Sequence, residues 1–321
     1  MKSLPKTAKE FNHMHEFDII NTFFQKKTVL RADVSLGSGD DGAILKVPTD
    51  KELVITTDTL VENVHFLKTT PPNNLGYKAL AVNLSDLAAM GATPAWVTMN
   101  LTLPEKNMAW LTDFSQGFFL LADKYSIQLI GGDLTQGPLS ITISAYGFVP
   151  TGTALRRDGA NPGDLIYVTH TVGNAAGALA QLQSKQVPDK FLLSCLEKPH
   201  PRVAIGHSLR GVASAAIDIS DGVIADLQHI LKRSGVGAKV NVDDLPLSSN
   251  LLAIFGKDKS LVFGLTGGDD YELCFTLPAQ YKNALDFPCT CIGIITEDQE
   301  YLLQHRDGSV YQTQITGYQH F

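Results

Sequence analysis

Six short clusters set aspartate beside glycine, serine or threonine: Gly39-Asp40-Asp41-Gly42, Thr56-Thr57-Asp58, Ser85-Asp86, Gly131-Gly132-Asp133, Asp218-Ile219-Ser220-Asp221-Gly222 and Gly267-Gly268-Asp269-Asp270. Small neighbours let a backbone turn sharply and approach a ligand closely. Carboxylates in such places suit Mg²⁺, which takes hard oxygen ligands and shares its shell with substrate phosphates. A fold that gathers these clusters would hold several metal ions around a polyphosphate. Asp outnumbers Glu by 24 to 9, although Glu is the better helix former. Caps and turns absorb part of that excess; six clusters flanked by glycine or hydroxyl residues go beyond it.

Each cluster has two readings when taken alone. Asp40 and Asp41 are a turn pair or metal ligands. Gly37-Ser38-Gly39-Asp40-Asp41-Gly42 fits the GxGxxG spacing, but that motif must open a helix, and Ala43 to Val47 has the pattern of a strand. No GxxxxGK[ST] loop occurs. Thr56, Thr57 and Asp58 close an apolar strand, where open sheets bind ligands; a cap is the alternative. His65, between Val64 and Phe66, is packed or functional. Asp86 lies within a helix and shares a face with Asn83, so the pair faces solvent or a site. Gly131-Gly132-Asp133 is a tight turn, or amides open to an anion with a carboxylate for its metal. Asp221 is placed to cap the helix that follows it, while Ser220 and the first amides could hold phosphate. Arg157 is a surface arginine or a phosphate clamp.

The elements that must carry these residues can be read coarsely. Helices are expected at 17–24, 74–90, 108–124, 175–183 and 223–232. Strands are expected at 43–47, 53–57, 96–103, 128–130, 140–148, 165–169, 238–242, 261–265, 271–277 and 291–295. The stretch from Val149 to Asp164 is the richest in turn residues. It puts a domain boundary after residue 150, giving domains 1–150 and 151–321.

Bulk properties narrow the function classes. The net charge is −7, with no basic block, which argues against nucleic acid as a partner. An acidic protein repels an anionic substrate unless cations intervene, a second pointer to Mg²⁺. The four cysteines, Cys195, Cys274, Cys289 and Cys291, form no CxxC pair. Met1 to Glu10 lacks the apolar core of a secretory leader. The longest uncharged stretch, Leu134 to Leu155, is broken by Gly, Pro and hydroxyl residues and is no membrane span. A cytoplasmic location is expected. Together these features equip a chain for Mg²⁺-dependent phosphoryl transfer, where positioning and charge neutralisation do most of the catalysis.

With these residues in view, the chain resembles the thiamine-monophosphate kinase family over nearly all its length. The strings that carry the resemblance are Gly39-Asp40-Asp41-Gly42-Ala43, Thr56-Thr57-Asp58-Thr59-Leu60-Val61 on to His65-Phe66, and Ala81-Val82-Asn83-Leu84-Ser85-Asp86-Leu87-Ala88-Ala89-Met90-Gly91-Ala92. Further on come Gly131-Gly132-Asp133, Arg157-Asp158-Gly159-Ala160-Asn161-Pro162-Gly163-Asp164, Asp218-Ile219-Ser220-Asp221-Gly222 and Gly267-Gly268-Asp269-Asp270-Tyr271-Glu272-Leu273.

The resemblance implies an α/β (α+β) fold of two domains, shared with aminoimidazole ribonucleotide synthetase, and a homodimer joined through strands of the N-terminal domain. It implies transfer of a phosphoryl group from ATP to thiamine monophosphate. By matching positions it implies Mg²⁺ ligation by Asp41, Thr56, Thr57, Asp58, Asp86, Asp133, Asp218 and Asp221. It likewise implies ATP contacts from Gly132, Asp133, Arg157 and Ser220, and substrate contacts from His65, Asp269 and Phe321. One departure stands out: the family pattern has Glu where this chain has Asp269, one methylene shorter. A related enzyme with a different acceptor and a non-catalytic Mg-nucleotide sensor are the alternatives. A selenide-using relative needs a reactive cysteine near the N-terminus, and no Cys precedes Cys195; a Ca²⁺ protein would need an EF-hand loop, which is absent.

Overall fold

The computed structural model describes residues 15–312, and contacts divide the chain into two compact units, Met1–Leu87 with Thr93–Thr151 and Ala88–Ala92 with Gly152–Phe321. The first runs through α1 (Glu16–Phe23), β1 (Val34–Leu36), β2 (Ile44–Leu45), β3 (Lys51–Val61), α2 (Pro72–Ala89), β4 (Thr93–Leu103), α3 (Met108–Lys124), β5 (Gln128–Gln136) and β6 (Ser140–Pro150). Its sheet has the order β3-β6-β4-β5. β6 is antiparallel to both neighbours, whereas β4 and β5 are parallel. A parallel pair needs a crossover, and α3 provides it. Along β6, Ile141, Ile143 and Ala145 are buried while Thr142, Ser144 and Tyr146 are half-buried, the alternation of a sheet with one covered face.

α2 is buried nearly all round. Leu80, Leu84 and Leu87 are fully buried, and so are Asn83 and Ser85. Two glycines set how closely it packs. A Cβ on Gly76 would stand 2.0 Å from the Phe114 carbonyl oxygen, and one on Gly117 would stand 1.7 Å from the Asn73 carbonyl oxygen. α2 and α3 therefore meet backbone to backbone at reciprocal glycines. Across the sheet, the hairpin residues Val34, Ala43 and Leu45 pack on a cluster of Ala95, Trp96, Ile130 and Phe148. Trp96 Nε1 donates to Asp33 Oδ1 at 2.9 Å.

The second unit contains β7 (Leu165–Thr169), α4 (Asn174–Gln183), α5 (Lys190–Glu197), α6 (Val203–Leu209), β8 (Ala215–Asp218), α7 (Val223–Ser234), β9 (Gly237–Asn241), α8 (Ser249–Thr266), β10 (Leu273–Leu277), β11 (Cys289–Thr296) and β12 (Tyr301–Gln304). Its six strands lie in the order β12-β9-β11-β7-β10-β8, antiparallel except for β12 beside β9. β10 is buried at all five positions, which explains its unbroken apolar run.

Three expectations are corrected here. Residues 261–265 are not a strand but the end of α8, which breaks at Gly256, where φ is +71°; a five-residue apolar run fits both elements. Gly131-Gly132-Asp133 lies inside β5 and is no turn. Thr56 to Asp58 do not end a strand, because β3 continues to Val61. Among the described residues no helix is long and apolar enough to cross a membrane.

The reciprocal glycines give a direct test. Gly117→Ala raises intrinsic helix propensity but drives a methyl group into the Asn73 carbonyl, so urea unfolding is expected to show a loss of about 1–3 kcal/mol. A variant as stable as the wild type would mean that the helices can separate freely.

Candidate active site

In the first unit the aspartates form two groups. Asp40, Asp41, Gly131, Gly132 and Asp133 line one cleft of about 610 Å³, with apolar walls from α1 and from Met99 and Leu101. Its lining contains no Lys, Arg or His. The loop that carries Asp40 and Asp41 joins β1 to β2, and the Asp41 amide donates to Asp40 Oδ1 at 2.9 Å. Asp133 reaches the cleft through a bulge. Val97 of β4 pairs with Leu129 and Thr98 with Gly131, so β5 holds one extra residue, Ile130. Beyond it Gly132 has φ +141°, and a Cβ there would stand 1.9 Å from the Met99 carbonyl oxygen. Only glycine fits such an approach.

The second group lies on β3 and α2. Successive side chains of a strand point to opposite faces. Thr56 and Asp58 share the face that meets α2: the Thr56 hydroxyl donates to Asp86 Oδ2, and Asp58 and Asp86 are in hydrogen-bond contact. Burial and the adjacent Asp86 charge push the Asp58 carboxyl up to about 7. Thr57 points the other way, and its hydroxyl donates to Ser144 Oγ at 2.7 Å. A bond from Thr57 to an ion held by Asp58 would therefore have to come from its main chain. His65 lies in the turn after β3. Its Nδ1 accepts the Val61 N–H at 3.0 Å, which leaves the proton of the neutral ring on Nε2.

In the second unit, two motifs are joined by main-chain hydrogen bonds. Asp269 N–H donates to the Ser220 carbonyl at 2.9 Å, Tyr271 N–H to the Ile219 carbonyl at 2.8 Å, and Ile219 N–H to the Glu272 carbonyl at 2.8 Å. The close fit uses Gly268, where a Cβ would be 2.4 Å from the Ser220 carbonyl oxygen. Asp269 and Tyr271 both lie in the left-handed region, with φ +68° and +51°. The Tyr271 hydroxyl donates to Asp269 Oδ1 at 3.0 Å.

The carboxylates around this joined segment divide into those that hold and those that face outward. Asp270 is buried, and it accepts the Gly173 N–H at 2.6 Å; burial raises its carboxyl well above the ordinary range. Glu272 is buried and receives Arg202 Nε at 2.8 Å and Thr169 Oγ1 at 2.5 Å. Asp221 and Asp269 are half-buried, and Asp218 is buried at the end of β8.

Asp221 does not cap α7 as its position suggests. The N-cap is Gly222, with φ +113° and no side-chain cap. The N–H groups of Ser220, Asp221 and Gly222 all donate instead to Asp226 Oδ2, at 3.0, 3.0 and 3.1 Å. Burial pushes the Asp226 carboxyl up to about 7, although these donors pull it down. The first amides of α7 are thus occupied and do not await phosphate, which leaves Ser220 only its hydroxyl for a nucleotide.

The structure brings Asp41, Gly132 and Asp133 to one cleft, Thr56, Asp58 and Asp86 to one contact, and Ser220, Asp221 and Asp269 to one joined segment. Arg157 is exposed, and its carbonyl accepts Ser234 Oγ at 3.0 Å. Phe321 lies outside the described residues. Sequence reasoning missed Asp226, whose only signal was an Asp in the first turn of an amphipathic helix. It also missed Lys78, which is 2% exposed and whose Nζ lies 3.5 Å from the His65 carbonyl. Among the described residues no group of three or more His, Cys, Asp or Glu is placed to hold a metal ion.

Comparison with known proteins agrees with this arrangement. Residues 39–149 match the family model described as AIR synthase related protein, N-terminal domain. The thiamine-monophosphate kinase of Salmonella typhimurium is 49% identical over 318 residues, covering 95% of this chain and 98% of that one. The crystal structure of thiamine-monophosphate kinase from Stenotrophomonas maltophilia K279a has a TM-score of 0.85 at 45% identity, over 91% of this chain and 97% of that one. The structure of AaThiL complexed with AMPPCP and TMP has a TM-score of 0.78 at 31% identity, over 99% of this chain and 100% of that one. With half its residues shared across almost the full length, and the aspartate strings among them in order, the chain belongs to the thiamine-monophosphate kinase family.

Proposed function

We propose that this protein transfers the γ-phosphoryl group of ATP to thiamine monophosphate, giving thiamine diphosphate and ADP, by direct in-line displacement. The observation that carries the reading is the set of oxygen donors: Asp58 against Asp86 with the Thr56 hydroxyl beside them, and a cleft that offers Asp40, Asp41 and Asp133 without a basic residue. The relative whose structure holds AMPPCP and TMP supports the choice of nucleotide and acceptor.

The donor set fits Mg²⁺. Two carboxylates in contact, one of them protonated up to about pH 7 because of the other, form a site whose charge calls for a cation. Asp41, Thr56, Thr57, Asp58, Asp86, Asp133, Asp218 and Asp221 would hold the ions, with water and phosphate oxygens completing their shells. When bound, Mg²⁺ supplies the charge neutralisation that lets two phosphate anions approach.

The remaining tasks belong to the chain. Gly132 lets backbone come close to the nucleotide, Ser220 offers its hydroxyl, and Arg157 is a candidate clamp. His65 offers an Nε2–H donor and Asp269 a carboxylate to the thiamine moiety. The attacking phosphate oxygen is already ionised at neutral pH, so no general base is required, and no side chain is set up as an activated nucleophile for a phosphoenzyme. A homodimer through β3 fits the sheet: the strand has eleven residues at the edge, and it exposes Ile55 at 58%. Such an edge is ordinarily covered or paired.

The test is release of ADP from Mg-ATP with thiamine monophosphate and, in parallel, with unphosphorylated thiamine, the product identified by mass. Turnover with the monophosphate alone is expected; turnover with neither would shift the reading to another acceptor. Asp58→Asn and Asp133→Asn should each lower kcat by about 10²-fold or more while the protein stays folded, and near-wild-type kcat in both would remove them from the site.

Linkage gives a second expectation. An acid whose folded value is about 7, above an unfolded value near ~3.9, contributes stability that is complete below ~3.9 and lost as pH rises through 7. In EDTA, the contribution of Asp58 should therefore decline between about pH 4 and pH 7. Mg²⁺ should raise Tm more at pH 8 than at pH 5, and Asp58→Asn should flatten the decline in EDTA. Thermal melts with an equal Mg²⁺ effect at both pH values would contradict the pairing.

Asp269 gives a third. Asp tolerates the left-handed region better than Glu, so Asp269→Glu restores the family's side chain at a conformational cost of about 1 kcal/mol. The expected result is a changed KM for thiamine monophosphate with a lower Tm; an unchanged KM would show that this carboxylate does not touch the substrate.

A further inference from the structure

Asp226 lies four residues beyond Gly222 and is 3% exposed. One of its oxygens accepts three consecutive main-chain N–H groups, those of Ser220, Asp221 and Gly222. A run of amides at a helix N-terminus is a ready seat for an external anion. Here it is filled from within, by a carboxylate of the same helix. The outer side of the turn is fixed as well. Ser220 and Ile219 present their carbonyls to Asp269 and Tyr271, and Ile219 N–H returns to Glu272. The turn carrying Ser220 and Asp221 therefore cannot shift without moving Asp269, which is itself held at φ +68°.

We propose that Asp226 is a positioning residue for both substrates. Its carboxylate fixes the Ser220–Gly222 turn for the nucleotide and its metal, and through the main-chain bonds to Asp269 and Tyr271 it also fixes the carboxylate that meets the acceptor. The inference rests on the kinase reading above. A residue that only capped α7 would stabilise the helix and leave ligand affinities unchanged. A residue that sets the turn acts on both, as the outer partners of metal ligands do.

The experiment compares the wild type with Asp226→Ala, Asp226→Asn and Leu227→Ala. Leu227 is a fully buried neighbour on α7 that touches no ligand and serves as a matched loss of stability. Three quantities are read: the Kd of Mg-AMPPCP by calorimetry, the KM values for Mg-ATP and thiamine monophosphate, and hydrogen exchange of the Ser220, Asp221 and Gly222 amides without metal. Asp226→Ala should weaken Mg-AMPPCP by about 10- to 100-fold, raise both KM values and release the three amides. Asp226→Asn, which keeps an acceptor oxygen but loses the charge, should fall between Ala and wild type in all three. Leu227→Ala should lower Tm and leave Kd within about twofold, since a core loss away from the turn is independent of it.

If Asp226→Ala does not fold, the contrast between Asp226→Asn and Leu227→Ala carries the test. Unaltered Kd and KM values in the Asp226 variants, or an equal weakening in Leu227→Ala, would overturn the proposal. Wild-type protein that binds Mg-AMPPCP but does not turn over thiamine monophosphate would overturn the kinase reading instead. The calorimetric comparison would still decide the role of Asp226 toward the nucleotide.

Discussion

A carboxylate removed from water must be met by donors, by a cation or by a proton. The second unit meets this demand internally. Asp226 takes three amides, Asp270 takes an amide before α4, and Glu272 takes Arg202 and Thr169. The first unit meets it differently: Asp58 and Asp86 are set against each other, and Asp40, Asp41 and Asp133 line a cleft that contributes no cation. The same residue type thus does two jobs, fastening in one place and leaving charge to be answered from outside in the other.

This division shapes the local structure. Satisfied carboxylates rigidify their surroundings, because an unmade bond in a buried place is costly. That rigidity permits the left-handed backbone at Asp269 and Tyr271, which isolated residues of these types seldom adopt and which well-packed functional segments can sustain. On the other side, α2 brings Asp86 to β3 on a helix locked against α3 by Gly76 and Gly117. The like-charged contact persists because neither element has room to retreat.

Much of this was legible in the residues. Helix 108–124 and strand 165–169 have the bounds expected from periodicity, because a long amphipathic run and a short apolar run between turn signals each have one reading there. The glycine- and hydroxyl-flanked aspartates pointed to oxygen-ligated metal and to the family before any coordinates. What was not legible depended on partners distant in sequence. Residues 261–265 belong to a helix because the chain before them packs as one, which five apolar residues cannot reveal. Thr57 looked equivalent to Thr56 until strand alternation put its hydroxyl on Ser144. Asp270 and Glu272 looked as available as Asp269, and only burial separates them. Asp226 had no glycine or hydroxyl beside it to distinguish it from an ordinary helix carboxylate.

The bulge in β5 bears on how such a chain tolerates change of length. Because alternate residues face opposite sides, the extra residue at Ile130 sets which way everything after it points. Removing one residue between Gln128 and Gly132 would restore a regular ladder, and a regular ladder is no worse for the sheet. It would also turn Asp133 away from its cleft. Single-residue deletions in this strand are therefore mild for the fold and ruinous for the chemistry, the reverse of what is usual for a buried strand, so alignment gaps that are harmless in surface loops should be absent here.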